Sequence, residues 1–330
     1  MEINLDESFC LFGAEAVLKR LEALEQEIDG VCKADDIECI HRMRVASRRL
    51  RSTFAIFEEC FKNTKRWRKQ IRSVTRILGS ARDLDVQIDF LQGFLNDLTE
   101  QRYIPGIKRL ILRIHQKREN LQLKITSKME QLCTNGVLDE IKESALIIYN
   151  FAQIHKKDVY SQKVYENAYM AISLRLDEFI SYERYVYQPN NIAELHAMRI
   201  SAKRLRYTME VFESLYEDEL KQPIKIIREL QTILGDFHDC AVWVEYLPKF
   251  LEQEKVLTFE YFGNTRSFNR LKSGILYLQE NRRKHQAECY ENLVNLWEYE
   301  KDQDVWKNMS KLMLHIVSKK GAIYESSTNR

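Results

Sequence analysis

The chain has 330 residues and a mass of 39.4 kDa, enough for one large or two ordinary domains. With 45% apolar residues but only 10 Gly and 4 Pro, it can bury a core and has too little turn chemistry for a β-sandwich or barrel. Its formal net charge of +2 conceals a local field: residues 41–82 hold 13 Lys/Arg against Glu58 and Glu59, a segment charge of +11, so the other 288 residues sum to −9.

The N-terminus, Met1-Glu2-Ile3-Asn4-Leu5-Asp6, lacks the basic stretch and long apolar run of a signal peptide. No apolar run approaches a membrane span; the longest clean one covers residues 145–149. Cys10, Cys32, Cys39, Cys60, Cys133, Cys240 and Cys289 form no C-x-x-C pair. An odd, scattered set predicts reduced thiols in a cytoplasmic protein, not a disulfide frame or a zinc site.

From residue 41 to 61, Met43, Ala46, Leu50, Phe54, Phe57 and Phe61 recur at steps of 3 and 4, one face of a helix. Residues 62–82 continue with a second helix that contains no acid. Pro105-Gly106 marks a break before a long charged helix at about 107–132. Pro189-Asn190-Asn191 marks a loop, residues 196–212 make another amphipathic helix, and Pro223 suits a first helical turn. A second long charged helix is expected at about 268–297, and strand alternation is sustained nowhere.

An internal repeat organises these elements. His41-Arg42-Met43-Arg44-Val45-Ala46-Ser47-Arg48-Arg49-Leu50-Arg51 returns as His196-Ala197-Met198-Arg199-Ile200-Ser201-Ala202-Lys203-Arg204-Leu205-Arg206, at an offset of 155. Ile71-Arg72 and Ile77-Leu78-Gly79 return as Ile227-Arg228 and Ile233-Leu234-Gly235, and Asp83 and Asp239 each follow their glycine by four residues. The chain thus reads as two copies, 1–150 and 151–330. Each is long enough for a helical bundle with its own core, and the pair is expected to pack about a pseudo-twofold axis around a central cleft.

Beside each apolar stripe runs a cationic one. His41, Arg44, Arg48 and Arg51 share a helix face, as do His196, Arg199, Lys203 and Arg206. The next helix repeats the device with Lys65, Lys69, Arg72 and Arg76, answered by Lys221, Lys225 and Arg228. Like charges one turn apart repel by a few tenths of a kcal/mol per pair. A single Lys/Arg stripe is ordinarily a solvated face. Two matched pairs of stripes instead point to an external polyanion that relieves the repulsion.

The copies differ in degree: residues 196–238 balance seven Lys/Arg against seven acids, Glu213, Glu217 and Glu219 among them. Arg109, Arg113, Lys117, Arg118, Arg282, Arg283 and Lys284 are expected to extend the basic surface from the long helices. His41 and His196 read equally as helix-start polar residues or as phosphate-facing donors, whose pKa a polyanion would raise. Gly79 and Gly235 are expected to end or tighten helices, with Asp83 and Asp239 capping the next ones; orienting an arginine is the lesser role for the aspartates.

Phosphate-loop, dinucleotide and zinc-protease signatures are missing, and no paired-carboxylate element stands out, so no catalytic residue, metal or cofactor is expected. The motifs resemble those of the CHAD family, the conserved histidine α-helical domain. The resemblance rests on His41-x-x-Arg44-x-x-x-Arg48-Arg49-Leu50-Arg51 with Leu78-Gly79-x-x-Arg82-Asp83-x-Asp85-Val86. It is echoed by His196-x-x-Arg199-x-x-x-Lys203-Arg204-Leu205-Arg206-Tyr207 with Leu230-Gln231-x-x-Leu234-Gly235-x-x-x-Asp239, and it covers about residues 10–310.

The resemblance implies an all-α fold of two pseudo-symmetric bundles with a basic central channel. It also implies non-catalytic binding of inorganic polyphosphate. Some members are fused to a triphosphate-processing CYTH domain, whose E-x-E-x-K element is absent, since Glu298-Tyr299-Glu300-Lys301 lacks the spacing. One departure is His238, which stands where the first copy has Arg82.

The expected ligand contacts are His41, Arg44, Arg48, Arg51, Lys69, Arg72, Arg76, His196, Arg199, Lys203, Arg206, Lys225 and Arg228. Inorganic polyphosphate is the leading partner, with a targeting or storage-granule role and no membrane. Nucleic acid is the runner-up: apart from Trp67, no aromatic interrupts the stripes where bases would stack. A phosphate-chain hydrolase or transferase comes third, for want of a metal-binding carboxylate set.

Overall fold

The 3.6-residue patterning becomes twelve α-helices and no strand among the described residues of the computed structural model. These are residues 6–34, 36–155, 160–216 and 218–328, with side chains to 318. Glu217 and the N-terminal Met1–Leu5 segment read above lie outside them. The first half holds α1 (Glu7–Glu25), α2 (Ile28–Lys33), α3 (Ile37–Ile56), α4 (Thr64–Asn96), α5 (Ile104–Thr134) and α6 (Val137–Ile154). The second holds α7 (Gln162–Ile180), α8 (Glu183–Val186), α9 (Ile192–Phe212), α10 (Lys221–Phe262), α11 (Asn269–Asp302) and α12 (Val305–Thr328). The boundary read at 150/151 falls inside α6, which packs on α1 and so stays whole with the first half.

Each half uses the same neighbours. In the first, α1 packs on α3 and α6, α3 on α4, and α4 on α5; in the second, α7 packs on α9 and α12, α9 on α10, and α10 on α11. Between halves, three helices meet their own counterparts: α1 meets α7, α3 meets α9, and α5 meets α11. Self-equivalent contacts are what a twofold relation between two copies produces.

The core does not divide into two. One buried cluster runs from Phe12, Met43 and Leu50 of the first half to Met198, Leu205 and Phe212 of the second. Phe212 joins them directly, its ring centroid 5.7 Å from Phe12 and 5.9 Å from Phe57. A smaller cluster, with Leu91, Leu110, Leu247 and Leu278, knits α4, α5, α10 and α11. The two halves therefore share one continuous core across the α3–α9 contact.

Two expectations are corrected. Gly79 and Gly235 end no helix, and Asp83 and Asp239 cap none: all four lie in the interiors of α4 and α10. Continuous hydrophobic periodicity overrides the glycine's entropic cost of about 1 kcal/mol. Cys10 and Cys60, moreover, are joined as a disulfide, while the other five cysteines are free. They stand 50 residues apart in sequence and 5.3 Å apart at Cα, because α1 packs along α3. Sequence spacing cannot reveal such a pairing, and the cytoplasmic setting expected from reduced thiols loses that support. No helix among the described residues is long and apolar enough to cross a membrane.

Candidate functional site

The α3–α9 contact builds the site. Asp36 starts α3 by accepting a hydrogen bond from the Glu38 N–H at 2.8 Å. Burial of Met43, Leu50 and Phe54, and of Met198, Leu205 and Met209, fixes how each helix is rolled. The cationic stripes lie beside the apolar ones, so His41, Arg44, Arg48 and Arg51, with His196, Arg199, Lys203 and Arg206, are all held half-buried. Four of these come together from both halves: Arg44 and Arg48 of α3 act electrostatically on Lys203 of α9, and Arg44 also feels Arg199.

Within this quartet, a single carboxylate is in ion-pair range among the described residues: Asp83, 3.9 Å from Arg44 Nη2. Arg48, Arg199 and Lys203 have none. Burial, then Arg199, Arg48 and Arg44, push the Lys203 ammonium down to about 7 against the pull of Asp239. Burial and the adjoining Arg48 also pull the Arg44 guanidinium below its ordinary value. Asp239 is shifted the other way: burial holds its carboxyl above the usual range, opposed by Arg199 and reinforced by Asp236 and Asp83.

The mid-helix glycines explain themselves here. A Cβ on Gly235 would stand 3.2 Å from Arg199 Nε, and one on Gly79 would stand 3.6 Å from Arg44 Nε. Gly235 thus leaves room for Arg199, which an added Cβ would crowd, whereas at Gly79 a Cβ would make only ordinary contact with Arg44. Both Nε atoms are buried and have no hydrogen-bond partner. Two arginine donors are thus withheld from protein acceptors inside a half-buried cationic site.

Around this centre the two halves diverge. In the first, Arg51 sits beside Arg72, Arg48 and Arg68, and burial together with those charges holds it below its ordinary value. Lys69, Arg72 and Arg76 are exposed and have no ion-pair partner among the described residues. In the second, Arg206 lies 3.8 Å from the buried Glu210 carboxylate, Lys225 lies 3.9 Å from Glu229, and Lys221 lies 2.7 Å from Asp218.

Two expected residues stand elsewhere. His41 and Arg228 line a cavity of about 1060 Å³ between α1, α3, α9 and α10, along with Arg20, Arg49 and Glu210. The Arg49 guanidinium holds Glu210 at 3.0 Å there, so this cavity has mixed charge. His196 stacks on His238 with ring centroids 3.9 Å apart. Burial holds all three histidines below the usual histidine value, His238 at about 4, so none is raised in the free protein.

Other expectations are corrected by ion pairs. Arg109 and Arg113 converge on the buried Glu254, and Arg118 donates to the buried Asp85 at 2.7 Å. Lys117 donates to the Tyr246 hydroxyl at 3.1 Å. These side chains lock α5 to α10 and α4 instead of extending a basic surface. Arg282 lies over the Phe90 ring and donates to Asn281, and Arg283 pairs with Glu280. Trp67 is buried against Phe54 and Phe61 and offers no platform for a base. Among the described residues no group of three His, Cys, Asp or Glu is placed to hold a metal ion.

Sequence reasoning gave Asp83 and Asp239 the wrong leading role and passed over Glu210. The equal spacing of glycine and aspartate in both copies was the available signal for the first. For Glu210 the signal lay in its register, one turn beyond Arg206, where the first copy has Ala55.

The family model for the CHAD domain matches residues 15–248. Uncharacterized proteins of two Mycobacterium tuberculosis strains, CDC 1551 / Oshkosh and ATCC 25618 / H37Rv, are each 25% identical over 279 residues. The alignment covers 78% of this chain and 48% of each of theirs, so the chain spans about half the length of the curated relatives it matches. The crystal structure of the CHAD domain from the plant Ricinus communis superposes with a TM-score of 0.58 at 19% identity, covering 83% of this chain and 94% of that one.

Proposed function

The chain belongs to the CHAD family, and on that footing we propose that it binds inorganic polyphosphate at the α3–α9 cluster without chemically altering it. The observation that carries this reading is the quartet Arg44, Arg48, Arg199 and Lys203. Four cations from two helices share a half-buried space, with one carboxylate in range of one of them. Bringing such charges together opposes folding unless the gain lies in ligand binding, where stability is commonly given up.

Polyphosphate carries about one negative charge per phosphoryl unit and no bases. Arginine forks onto paired phosphoryl oxygens, and Arg44, Arg48 and Arg199 bring three guanidinium groups to one place, two of them with no carboxylate in ion-pair range among the described residues. The exposed cations Lys69, Arg72 and Arg76 extend the track along α4. The aromatic residues beside these stripes, Trp67 and Tyr207, are buried and offer no open face of the kind that single-stranded nucleic acid stacks on. A targeting or storage role fits a binder with no chemistry of its own.

The test is competition of polyphosphate against DNA and RNA at fixed salt, with phosphate release followed in the same samples. Polyphosphate displacing both, with no phosphate released, is the expected outcome. Log K should fall with log salt by roughly 0.7 per phosphate contact, about −4 for six contacts. Preference for nucleic acid, or phosphate release that a carboxylate substitution abolishes, would replace this reading.

A further inference from the structure

Lys203 occupies the place in α9 that Arg48 occupies in α3. The two helices pack on each other, so both side chains reach one cluster. From α3, Arg44 and Arg48 face Lys203; from its own helix, Arg199 and His196; from α10, His238 and Asp239. On α7, Glu178 is tied to Arg175 and to Arg204, and Lys163 to Glu166. In α8, Arg184 lies over Tyr185 and Glu183 pairs with Lys301. Lys203 has no hydrogen bond and no carboxylate within ion-pair distance among the described residues. It is half-buried and faces more positive charge than negative.

The second half thus places titratable groups where the first has permanent cations: Lys203 for Arg48, and His238 for Arg82. An arginine stays charged under such crowding, whereas an ammonium gives up its proton. We infer that a polyphosphate chain binds this cluster together with a proton, taken from solvent by Lys203 Nζ, so that the second half of the site charges as its ligand arrives. This rests on the polyphosphate reading above and adds to it a coupling between anion and proton.

The sign follows from the folded protein's Lys203 value of about 7. Bound phosphoryl oxygens favour the ammonium and raise that value, so affinity is fully expressed below pH 7 and declines as pH rises toward the bound value. Burial holds His196 and His238, the histidines beside Lys203, below the usual histidine value in the free protein, and the Lys203→Arg variant separates any part they play from that of the ammonium. Long chains keep the ligand's terminal groups from contributing.

The experiment measures long-chain polyphosphate affinity at constant low salt from pH 7 to 9, for the wild type and for Lys203→Arg. The wild type should weaken about tenfold or more across this range, and Lys203→Arg should bind almost equally throughout. Helicity of the variant is checked by circular dichroism. As a reading that needs no variant, mixing wild type and polyphosphate in dilute buffer should consume about half a proton per site at pH 7 and close to one at pH 8. Binding that ignores pH in the wild type, a slope that persists in Lys203→Arg, or no proton uptake overturns the coupling and leaves polyphosphate binding standing. Absence of wild-type binding even at pH 7 overturns both, and is told apart by the missing complex.

Discussion

Gly106 and Gly274 lie face to face with each other's helix where α5 and α11 cross: a Cβ on Gly106 would meet the Leu271 carbonyl oxygen, and one on Gly274 would meet the Tyr103 carbonyl oxygen. Tyr103 stands three residues before Gly106, and Leu271 three before Gly274. The contact is therefore reciprocal, and it brings the two halves together through backbone.

Alanine at either crossing glycine should destabilise the protein, because the obstructing atoms are backbone and cannot turn aside. Overpacking of this kind costs about 1–3 kcal/mol. Gly106→Ala and Gly274→Ala should each lower Tm, whereas Gly93→Ala should hold or raise it. Gly93 is an exposed helical glycine whose added Cβ meets nothing within 4 Å. Thermal unfolding of the three variants checks this, and a crossing variant as stable as the wild type would show that the helices can separate at no cost.

Gly235 and Gly79 lie beside arginines instead. At Gly235 an added Cβ falls 3.2 Å from Arg199 Nε and 3.4 Å from Nη2, so the guanidinium must lift. At Gly79 the corresponding contact, 3.6 Å to Arg44 Nε, is ordinary. Gly235→Ala should keep its fold and weaken polyphosphate binding several-fold, while Gly79→Ala should bind like the wild type. Titration at equal salt decides it, and equal affinities would mean that the Arg199 position is not used by the ligand.

Much of this was legible in the sequence. The stripe Met43, Leu50, Phe54 and its echo Met198, Leu205, Met209 proved to be core, since periodicity reports which face of a helix is buried. The cationic stripes beside them were carried inward by the same geometry. What periodicity does not report is which side chains from distant segments meet. Arg109 and Arg113 read as surface cations until α10 presents Glu254 to them, and His41 faces the α1 cavity because α1 crosses α3 there. Gly79 reads as a helix end because glycine's local propensity is silent on the apolar periodicity that carries α4 through it.

The Cys10–Cys60 bond ties the start of α1 to the segment after α3 and closes a loop of 50 residues. Cross-links of that reach contribute about 2–4 kcal/mol. Cys10→Ser with Cys60→Ser should lower Tm, and adding reductant to the wild type should reproduce the loss. Polyphosphate affinity should not change in either case, because the bond lies beyond the α3–α9 cluster. A reductant-insensitive wild type with unchanged Tm would show that the bond does not contribute.

The last expectation concerns how the halves share the ligand. At the centre they are joined, since Arg44, Arg48, Arg199 and Lys203 form one cluster. Arg44→Glu with Arg48→Glu, and Arg199→Glu with Lys203→Glu, should therefore both weaken binding strongly. Asymmetry belongs to the outer cations. Arg51 and Arg72 adjoin each other with no carboxylate in ion-pair range among the described residues, whereas Arg206 faces Glu210 and Lys225 faces Glu229. A phosphoryl group arriving at the first pair meets uncompensated charge. At the second it must displace a carboxylate or lie beside one, and the gain is smaller. Arg51→Gln with Arg72→Gln should thus lose more affinity than Arg206→Gln with Lys225→Gln. The first double should also reduce the slope of log K against log salt by about 1.4, two contacts at about 0.7 each, and the second by less. All four substituted positions lie off the Met43 and Met198 stripes, so helicity should be retained. Titrations of both doubles across a salt series read out the difference, and equal losses of affinity and slope would show that Glu210 and Glu229 do not shield their partners from the ligand.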